Sequence, residues 1–338
     1  MIFVTGGTGL IGSHLLVKLS QSEEAITAIY RNKSKIENVR RLFDYYLNDA
    51  GKKAFQKINW VACNILDVTR LGELMKGHRH VYHCAAIVSF KRRDFNKMME
   101  INRYGTANVV NVALDLGIEK LCYVSSTAAV GNKDIDKTEE VTEEGKWIVT
   151  DQTSGYSLSK YSAEKEVWRG IEEGLNAVIV NPSIVFGAWD WNESSMVIFN
   201  TIRKGLRFYS PGTNAFVDAR DVAEIMVKLT NSAISSERYL CVAENMPFKD
   251  LFTKIADELN VSPPKHPVSP TLMGLAWRLS VLWAVLTFSS PVITKSAAQS
   301  AFKTIKYSND KVRKELDFTF IPIEQTIKNA ILGRINTA

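Results

Sequence analysis

The sequence predicts an α/β fold: a doubly wound parallel sheet, covered by helices on both faces and followed by a smaller, discontinuous C-terminal unit. Three observations carry that reading. Short β-rich apolar runs alternate with stretches of helical spacing through the first half of the chain. These runs are nearly continuous in apolar residues, as strands buried on both faces are. A glycine-rich turn joins the first run to the first helical stretch.

Residues 1–5 form the first strand, and Leu10, Ile11, Leu15, Leu16 and Leu19 mark one face of the first helix. Between them lies Thr5-Gly6-Gly7-Thr8-Gly9-Leu10-Ile11-Gly12, with the spacing G-x-x-G-x-x-G. In such a turn Gly6 takes a backbone conformation closed to other residues. Gly9 admits a pyrophosphate close to the main chain, and Gly12 lets the helix pack tightly on the strand. The N–H groups of the first helical turn, which opens at Leu10 and Ile11, attract phosphate together with the helix dipole. The turn is read as a dinucleotide-phosphate site.

The second strand covers 26–30 and is followed by Arg31, with Lys33 and Lys35 close behind. A site for NAD(H) wants an acidic residue here, to accept hydrogen bonds from the ribose 2′-hydroxyl. A guanidinium instead grips a 2′-phosphate with two parallel bonds. Arg31 therefore favours NADP(H), with NAD(H) as the alternative and a solvated turn as the plain structural reading. Residues 35–55 have helical spacing (Ile36, Val39, Leu42, Phe43, Tyr46, Leu47) and read as an inserted helix. Strands at 58–63, 79–84, 119–124 and 176–181 complete the expected sheet.

A further helical stretch runs from Tyr156 to Glu173 and puts Lys160 one turn beyond Tyr156, on the same face. A phenol with an ordinary pKa near ~10 is a poor acid or base at neutral pH. A neighbouring ammonium favours the phenolate. Such a tyrosine can protonate a carbonyl oxygen or deprotonate an alcohol. Tyr161 and Lys165 repeat the spacing, so spacing alone leaves both tyrosines open.

Several segments in order match one family. The opening turn fits T-G-G-x-G-x-x-G, and His83-Cys84-Ala85-Ala86 fits H-x-A-A. Asn102 to Asn108 fits N-x-x-G-T-x-N, and Val124 to Gly131 fits the strand that carries a catalytic serine. Tyr156 to Glu164 fits Y-x-x-S-K-x-x-A-E, which selects Tyr156 over Tyr161. Asn181 to Gly187 is similar to R-P-x-x-V-x-G, and Phe216 to Ala223 to F-V-x-V-x-D-V-A. Over nearly all 338 residues the chain resembles the extended short-chain dehydrogenases/reductases of the NAD-dependent epimerase/dehydratase superfamily. The likeness is greatest to dihydroflavonol-4-reductase-like and 3β-hydroxysteroid-dehydrogenase-like members.

The resemblance implies a Rossmann-type domain and a set of roles. Ser126 would bond the substrate carbonyl and hold developing negative charge, with Thr127 as the fallback one residue on. Tyr156 would be the general acid/base. Lys160 would bond the nicotinamide ribose and depress the Tyr156 pKa. Ala85 and Ala86 would line the cofactor channel, and Asn64 and Ile65 would lie against the adenine. Asn102 would order the strand or a water near the lysine, against the bland reading of a locally bonded helix residue. Pro182 and Ser183 would lie near the nicotinamide carboxamide. Asp221 reads as the N-cap of a helix beginning near Val222. The Rossmann domain is expected over 1–184, with 216–235 returning to it. The substrate-binding cap is expected from 185–215 and mainly from 236–338.

Composition narrows the function classes. A net charge of +6, from 42 Lys+Arg against 36 Asp+Glu, is too diffuse for a nucleic-acid stripe. Cys63, Cys84, Cys122 and Cys241 are scattered singly, without metal-ligand spacing. Buried thiols and a first strand at the very start suit a cytoplasmic enzyme without a signal peptide. Leu272 to Ile293 is apolar but broken by Arg278, Ser280, Thr287, Ser289, Ser290 and Pro291. It reads as a pocket wall or a dimer face rather than a membrane contact. By analogy alone, the family allows a homodimer.

Two reactions compete. One is NADP(H)-dependent reduction of a ketone or aldehyde, or oxidation of a secondary alcohol, on a fairly apolar small molecule. The other is epimerisation or dehydration of a nucleotide sugar with tightly bound NAD. The second usually needs an arginine in G-x-x-x-R-x-F to hold a diphosphate, whereas Gly212 to Phe216 has none. A non-catalytic nucleotide sensor is disfavoured by the intact Ser126, Tyr156 and Lys160 set.

Overall fold

In a computed structural model, the described residues are 1–131, 140–150, 153–269, 271, 273, 274, 277, 278 and 302–335. All six expected strands are present: β1 (Ile2–Thr5), β2 (Ile26–Tyr30), β3 (Ile58–Ala62), β4 (His80–His83), β5 (Lys120–Val124) and β6 (Ala177–Pro182). Three further strands, β7 (Ile184–Phe186), β8 (Phe208–Tyr209) and β9 (Thr213–Asp218), lead to β10 (Glu237–Cys241) and β11 (Glu244–Pro247). The central sheet has seven strands in the order β10-β6-β5-β4-β1-β2-β3, all parallel. The chain order reverses between β4 and β1, which opens a crevice at their carboxyl ends.

Period-two alternation sends neighbouring residues to opposite faces. Ile2, Val4, Cys122, Val124, Val178 and Val180 join one core, whereas Phe3, Leu121, Tyr123, Ala177 and Ile179 join the other. Both faces are thus dry, which accounts for the near-continuous apolar strands. Helix α1 (Leu10–Leu19) covers the first face, beside a later helix at Ala219–Thr230.

The stretch read as one inserted helix is two, α2 (Ile36–Leu47) and α3 (Asp49–Gln56). The break falls at Asn48, whose φ of 48° a continuing helix cannot hold. Helices α4 (Val68–Met75), α5 (Phe95–Met98) and α6 (Gly105–Asp115) follow, with a π-helical turn at Met99–Tyr104 ahead of α6. Helix α7 spans Gly155–Glu172, as the spacing predicts.

Beyond β7 come α8 (Val197–Arg203), α9 (Ala219–Thr230) and α10 (Phe248–Glu258). A small sheet pairs β7 with β9 in parallel and β9 with β11 antiparallel. One segment departs from the expected boundaries. Glu237–Cys241, placed at the start of the cap by sequence, is the seventh strand of the main sheet. Its first two residues are charged, and Arg238 is held there by a buried carboxylate rather than by apolar packing.

Asp221 does not cap α9. Asp218 does, accepting from Arg220 N at 2.8 Å, while Asp221 Oδ2 accepts from Ile321 N at 2.9 Å. Most of the apolar stretch 272–293 lies outside the described residues. Among the described residues no helix is long and apolar enough to cross a membrane.

Candidate active site

The glycine turn sits at the crevice between β1 and β4. Gly6 has φ +70°, and a Cβ there would lie 2.5 Å from Ala85 N. A Cβ on Gly12 would lie 2.2 Å from Gly6 O, so α1 reaches the strand only because both positions lack side chains. The N-cap of α1 is Gly9, which has no capping side chain, and the first turn carries no acidic residue. Its leading N–H groups, at Leu10, Ile11 and Gly12, are therefore left to an anion.

From this turn a cleft of about 210 Å³ runs to the end of β2. It is lined by Gly6, Thr8 and Gly9 at one end, by Ile65, Ala85 and Ala86 along its wall, and by Arg31, Asn32 and Lys35 at the rim. Arg31 is exposed there. Asn64 is not among the lining residues; it turns away, its Oδ1 accepting from Leu66 N at 3.2 Å. Ser183 lies between β6 and β7, where its N donates to Cys241 O at 3.1 Å, directly after Pro182. A second cleft, about 240 Å³, is lined by Glu143, Glu144, Trp168, Glu237, Arg238 and Lys311. It is mixed in charge and remote from the β1–β4 crevice.

The wall of the first cleft is bolted from behind. His83 Nδ1 meets Thr5 Oγ1 at 2.6 Å and its Nε2 meets Thr106 Oγ1 at 2.9 Å, which ties β1, β4 and α6 together. Burial pushes this imidazole down to about 3, so it is neutral. Ala85 N then donates to Thr5 Oγ1 at 3.2 Å. Two residues on, Ile87 exchanges bonds with Asn102, whose Oδ1 accepts from Ile87 N at 2.7 Å and whose Nδ2 donates to Ile87 O at 2.9 Å. Asn102 Nδ2 also donates to Ser159 Oγ at 3.0 Å. Asn102 is thus a long-range tie between the β4 exit and α7, not a locally bonded helix residue. The π-helical turn that holds it follows the common placement of such turns at functional sites.

That tie sets α7 against the end of β5. Ser154 caps α7, accepting from Ser157 N at 3.0 Å. Ser157 Oγ donates to Ala128 O at 2.6 Å, joining the helix start to the turn after β5. Ser126 begins that turn, its Oγ accepting from Ala128 N at 3.1 Å, and its hydroxyl acts on the Tyr156 phenol to favour ionisation. Thr127 instead acts on the Tyr307 phenol, so the register favours Ser126. Tyr161 is packed face to face on Trp147, with centroids 3.8 Å apart. Tyr156 meets Phe90 edge-on, with centroids 5.7 Å apart.

Lys160 is 2 % exposed and donates to Val124 O at 2.8 Å and Tyr123 Oη at 3.1 Å. Burial pushes its pKa down to about 8, with the Glu164 charge opposing. Tyr156 departs from the expectation of a lowered pKa. Burial raises it above its ordinary 10.0, and the neighbouring Ser126 hydroxyl only partly offsets this. In this arrangement the ammonium is turned to the main chain of β5 rather than to the phenol.

Glu164 was visible only as the last letter of a motif, and it is the hub beneath the site. This buried carboxylate accepts from Ser125 Oγ at 2.5 Å, Asn181 Nδ2 at 2.7 Å, Trp168 Nε1 at 3.2 Å and Arg238 Nη1 at 3.0 Å. Arg238 also donates to Glu143 O. Asn181 stands where the motif has arginine, and the guanidinium reaches Glu164 from the neighbouring strand instead. No local pattern could reveal that, because β6 and β10 meet only through sheet pairing. Among the described residues no group of three or more His, Cys, Asp or Glu could hold a metal ion.

The chain is similar to several known proteins. The model of the "NAD dependent epimerase/dehydratase family" matches residues 2–241. A Synechocystis sp. protein named "Putative dihydroflavonol 4-reductase" is 28% identical over 337 residues, covering 97% of this chain and 93% of its own. "Cinnamoyl-CoA reductase 1" of Petunia hybrida is 25% identical over 341 residues, covering 98% and 91%. The crystal structure of gox2253 superposes with a TM-score of 0.80 at 26% identity, covering 98% of this chain and 97% of that one.

Proposed function

The chain belongs to the NAD dependent epimerase/dehydratase family, and we propose that within it the protein is an NADP(H)-preferring oxidoreductase that reduces a ketone or aldehyde, or oxidises a secondary alcohol, on a fairly apolar small molecule. The observation that carries this reading is that Asn102 ties the chain just past the Ala85–Ala86 wall of a cleft rimmed by Arg31 to α7, the helix that carries Tyr156 and the buried Lys160 opposite the Ser126 turn. The cleft fits a dinucleotide: an uncapped helix N-terminus without acidic residues, two glycines that allow close approach, and a cation where a 2′-phosphate would lie.

When bound, the nicotinamide cofactor supplies or accepts the hydride. The chain's own groups handle the oxygen and the proton. Ser126 donates a hydrogen bond to the substrate oxygen, where negative charge develops. Tyr156, neutral at physiological pH, gives its phenolic proton to that oxygen in the reductive direction. Lys160 ties α7 to the end of β5, and Asn102 ties α7 to the channel wall. The described residues of 185–215 and of 242–335 are read as mainly the cap around the substrate.

Two features support an apolar carbonyl over a nucleotide sugar. Val88, Phe90, Ile148 and Val149 are exposed apolar side chains, and Phe90 touches the Tyr156 ring. Arg220, an arginine near the usual diphosphate-binding position, is already committed to Asp218 through bonds of 3.0 and 2.6 Å. Turnover of apolar aldehydes and ketones with NADPH is the test, with Tyr156→Phe beside the wild type. The variant is expected to bind NADPH nearly normally and to lose turnover; near-normal turnover would remove Tyr156 as the acid/base.

A further inference from the structure

We propose that Glu193 sets how strongly the adenosine end of the cleft takes a 2′-phosphate, by holding Lys35 in an ion pair. This rests on the dinucleotide reading of the cleft and adds a specificity determinant from a distant part of the chain. Lys35 lines the rim with Arg31 and Asn32. Its Nζ donates to Glu193 Oε1 at 2.6 Å, across 158 positions of sequence.

The carboxylate is held ready and the lysine comes to it. Glu193 ends a tight turn after β7 in which Asp190 Oδ1 accepts from Asn192 N at 2.9 Å. Trp189 and Trp191 anchor that turn in the core. Trp191 Nε1 donates to Ala330 O at 3.1 Å, and Trp189 O accepts from Ile335 N at 3.2 Å. The second oxygen of Glu193 accepts from Trp189 Nε1 at 3.4 Å. Lys35, in contrast, reaches over on a flexible four-carbon stem. The pair is partly solvated, at 39% and 29% side-chain exposure, so its partners are exchangeable rather than locked.

A 2′-phosphate arriving beside Arg31 meets this pair. To gain Lys35 as a second cation it must displace Glu193, and it sits near a fixed carboxylate while doing so. An adenosine without the 2′-phosphate meets neither cost. Glu193 thereby restrains the preference for the phosphorylated cofactor that Arg31 creates, and it couples the cofactor's adenosine end to the turn after β7.

The test uses calorimetric titration of the full chain with adenosine 2′,5′-bisphosphate and with 5′-AMP. Glu193→Gln retains an acceptor for Trp189 and removes the charge that holds Lys35. It is expected to tighten the bisphosphate about five-fold, the worth of one partly exposed ion pair, and to leave 5′-AMP unchanged. In a Lys35→Met background the gain is expected to disappear. The proposal is overturned if Glu193→Gln leaves the bisphosphate affinity unchanged, shifts both ligands equally, or gives the same gain without Lys35. Failure of the cofactor reading looks different and also overturns it: the wild type would then not distinguish the two ligands, and Arg31→Asp would change nothing.

Discussion

Replacing Lys160 by methionine tests the buried charge at the centre of the site. Folding takes this ammonium out of water and moves its pKa from 10.5 to about 8. At pH 7 the lysine is charged in both the folded and unfolded chains, so the full cost of the shift is present. At 1.36 kcal/mol per pKa unit that cost is about 3 kcal/mol. Because the folded pKa is the lower one, the cost is complete below about pH 8 and vanishes as pH rises past 10.5. By pH 10 about 2 to 3 kcal/mol of it is gone. Methionine also forfeits the bonds to Val124 O and Tyr123 Oη, but burial holds Tyr123 well above 10, so that loss is constant across the range. Other titrating groups are common to both chains and cancel. Urea unfolding of the cofactor-free wild type and Lys160→Met at pH 7 and pH 10 gives the comparison. The stability of the wild type relative to the variant is expected to rise by about 2 to 3 kcal/mol between the two pH values, while the variant has no turnover. Parallel pH dependences would refute the idea that Lys160 is held charged against burial.

Further outcomes follow from neighbouring groups. Arg31→Asp is expected to shift preference toward NADH, read as the ratio of NADPH to NADH dissociation constants; an unchanged ratio would remove the 2′-phosphate role. Glu164→Ala strands Ser125, Asn181, Trp168 and Arg238 without their common acceptor, and is expected to cost about 3 to 5 kcal/mol in urea unfolding; a cost under about 1 kcal/mol would show that the hub is dispensable. Burial raises the Tyr156 pKa, so the phenol is a ready acid and a poor base. Carbonyl reduction is therefore expected to be flat with respect to Tyr156 across neutral pH, with alcohol oxidation rising toward alkaline pH. Oxidation that peaks at neutral pH would contradict a neutral Tyr156.

Much of this was legible in the chain itself, for physical reasons that differ by element. The first six strands could be read because burial on both faces leaves little room for polar residues. The glycine turn could be read because Gly6 and Gly12 have no space for a Cβ. What escaped depends on contacts distant in sequence. Glu237–Cys241 begins with two charged residues, and nothing local says that Arg238 would pair with Glu164. The choice between Asp218 and Asp221 as the α9 cap turns on one residue of register and on the arrival of Ile321. Asn102 bonds Ile87 and Ser159, a role that a helical pattern cannot display. The Tyr156 pKa ran opposite to expectation because a four-residue spacing fixes a shared helix face but not where an ammonium points. Here Val124 O claims it.

The most direct measurement is a fluorescence titration of the purified, cofactor-stripped chain with NADPH and then NADH. Tight, exchangeable binding of NADPH with weak binding of NADH is the predicted result. NAD retained through purification with little exchange would contradict it, and would move the chain to the epimerase reading and to nucleotide sugars.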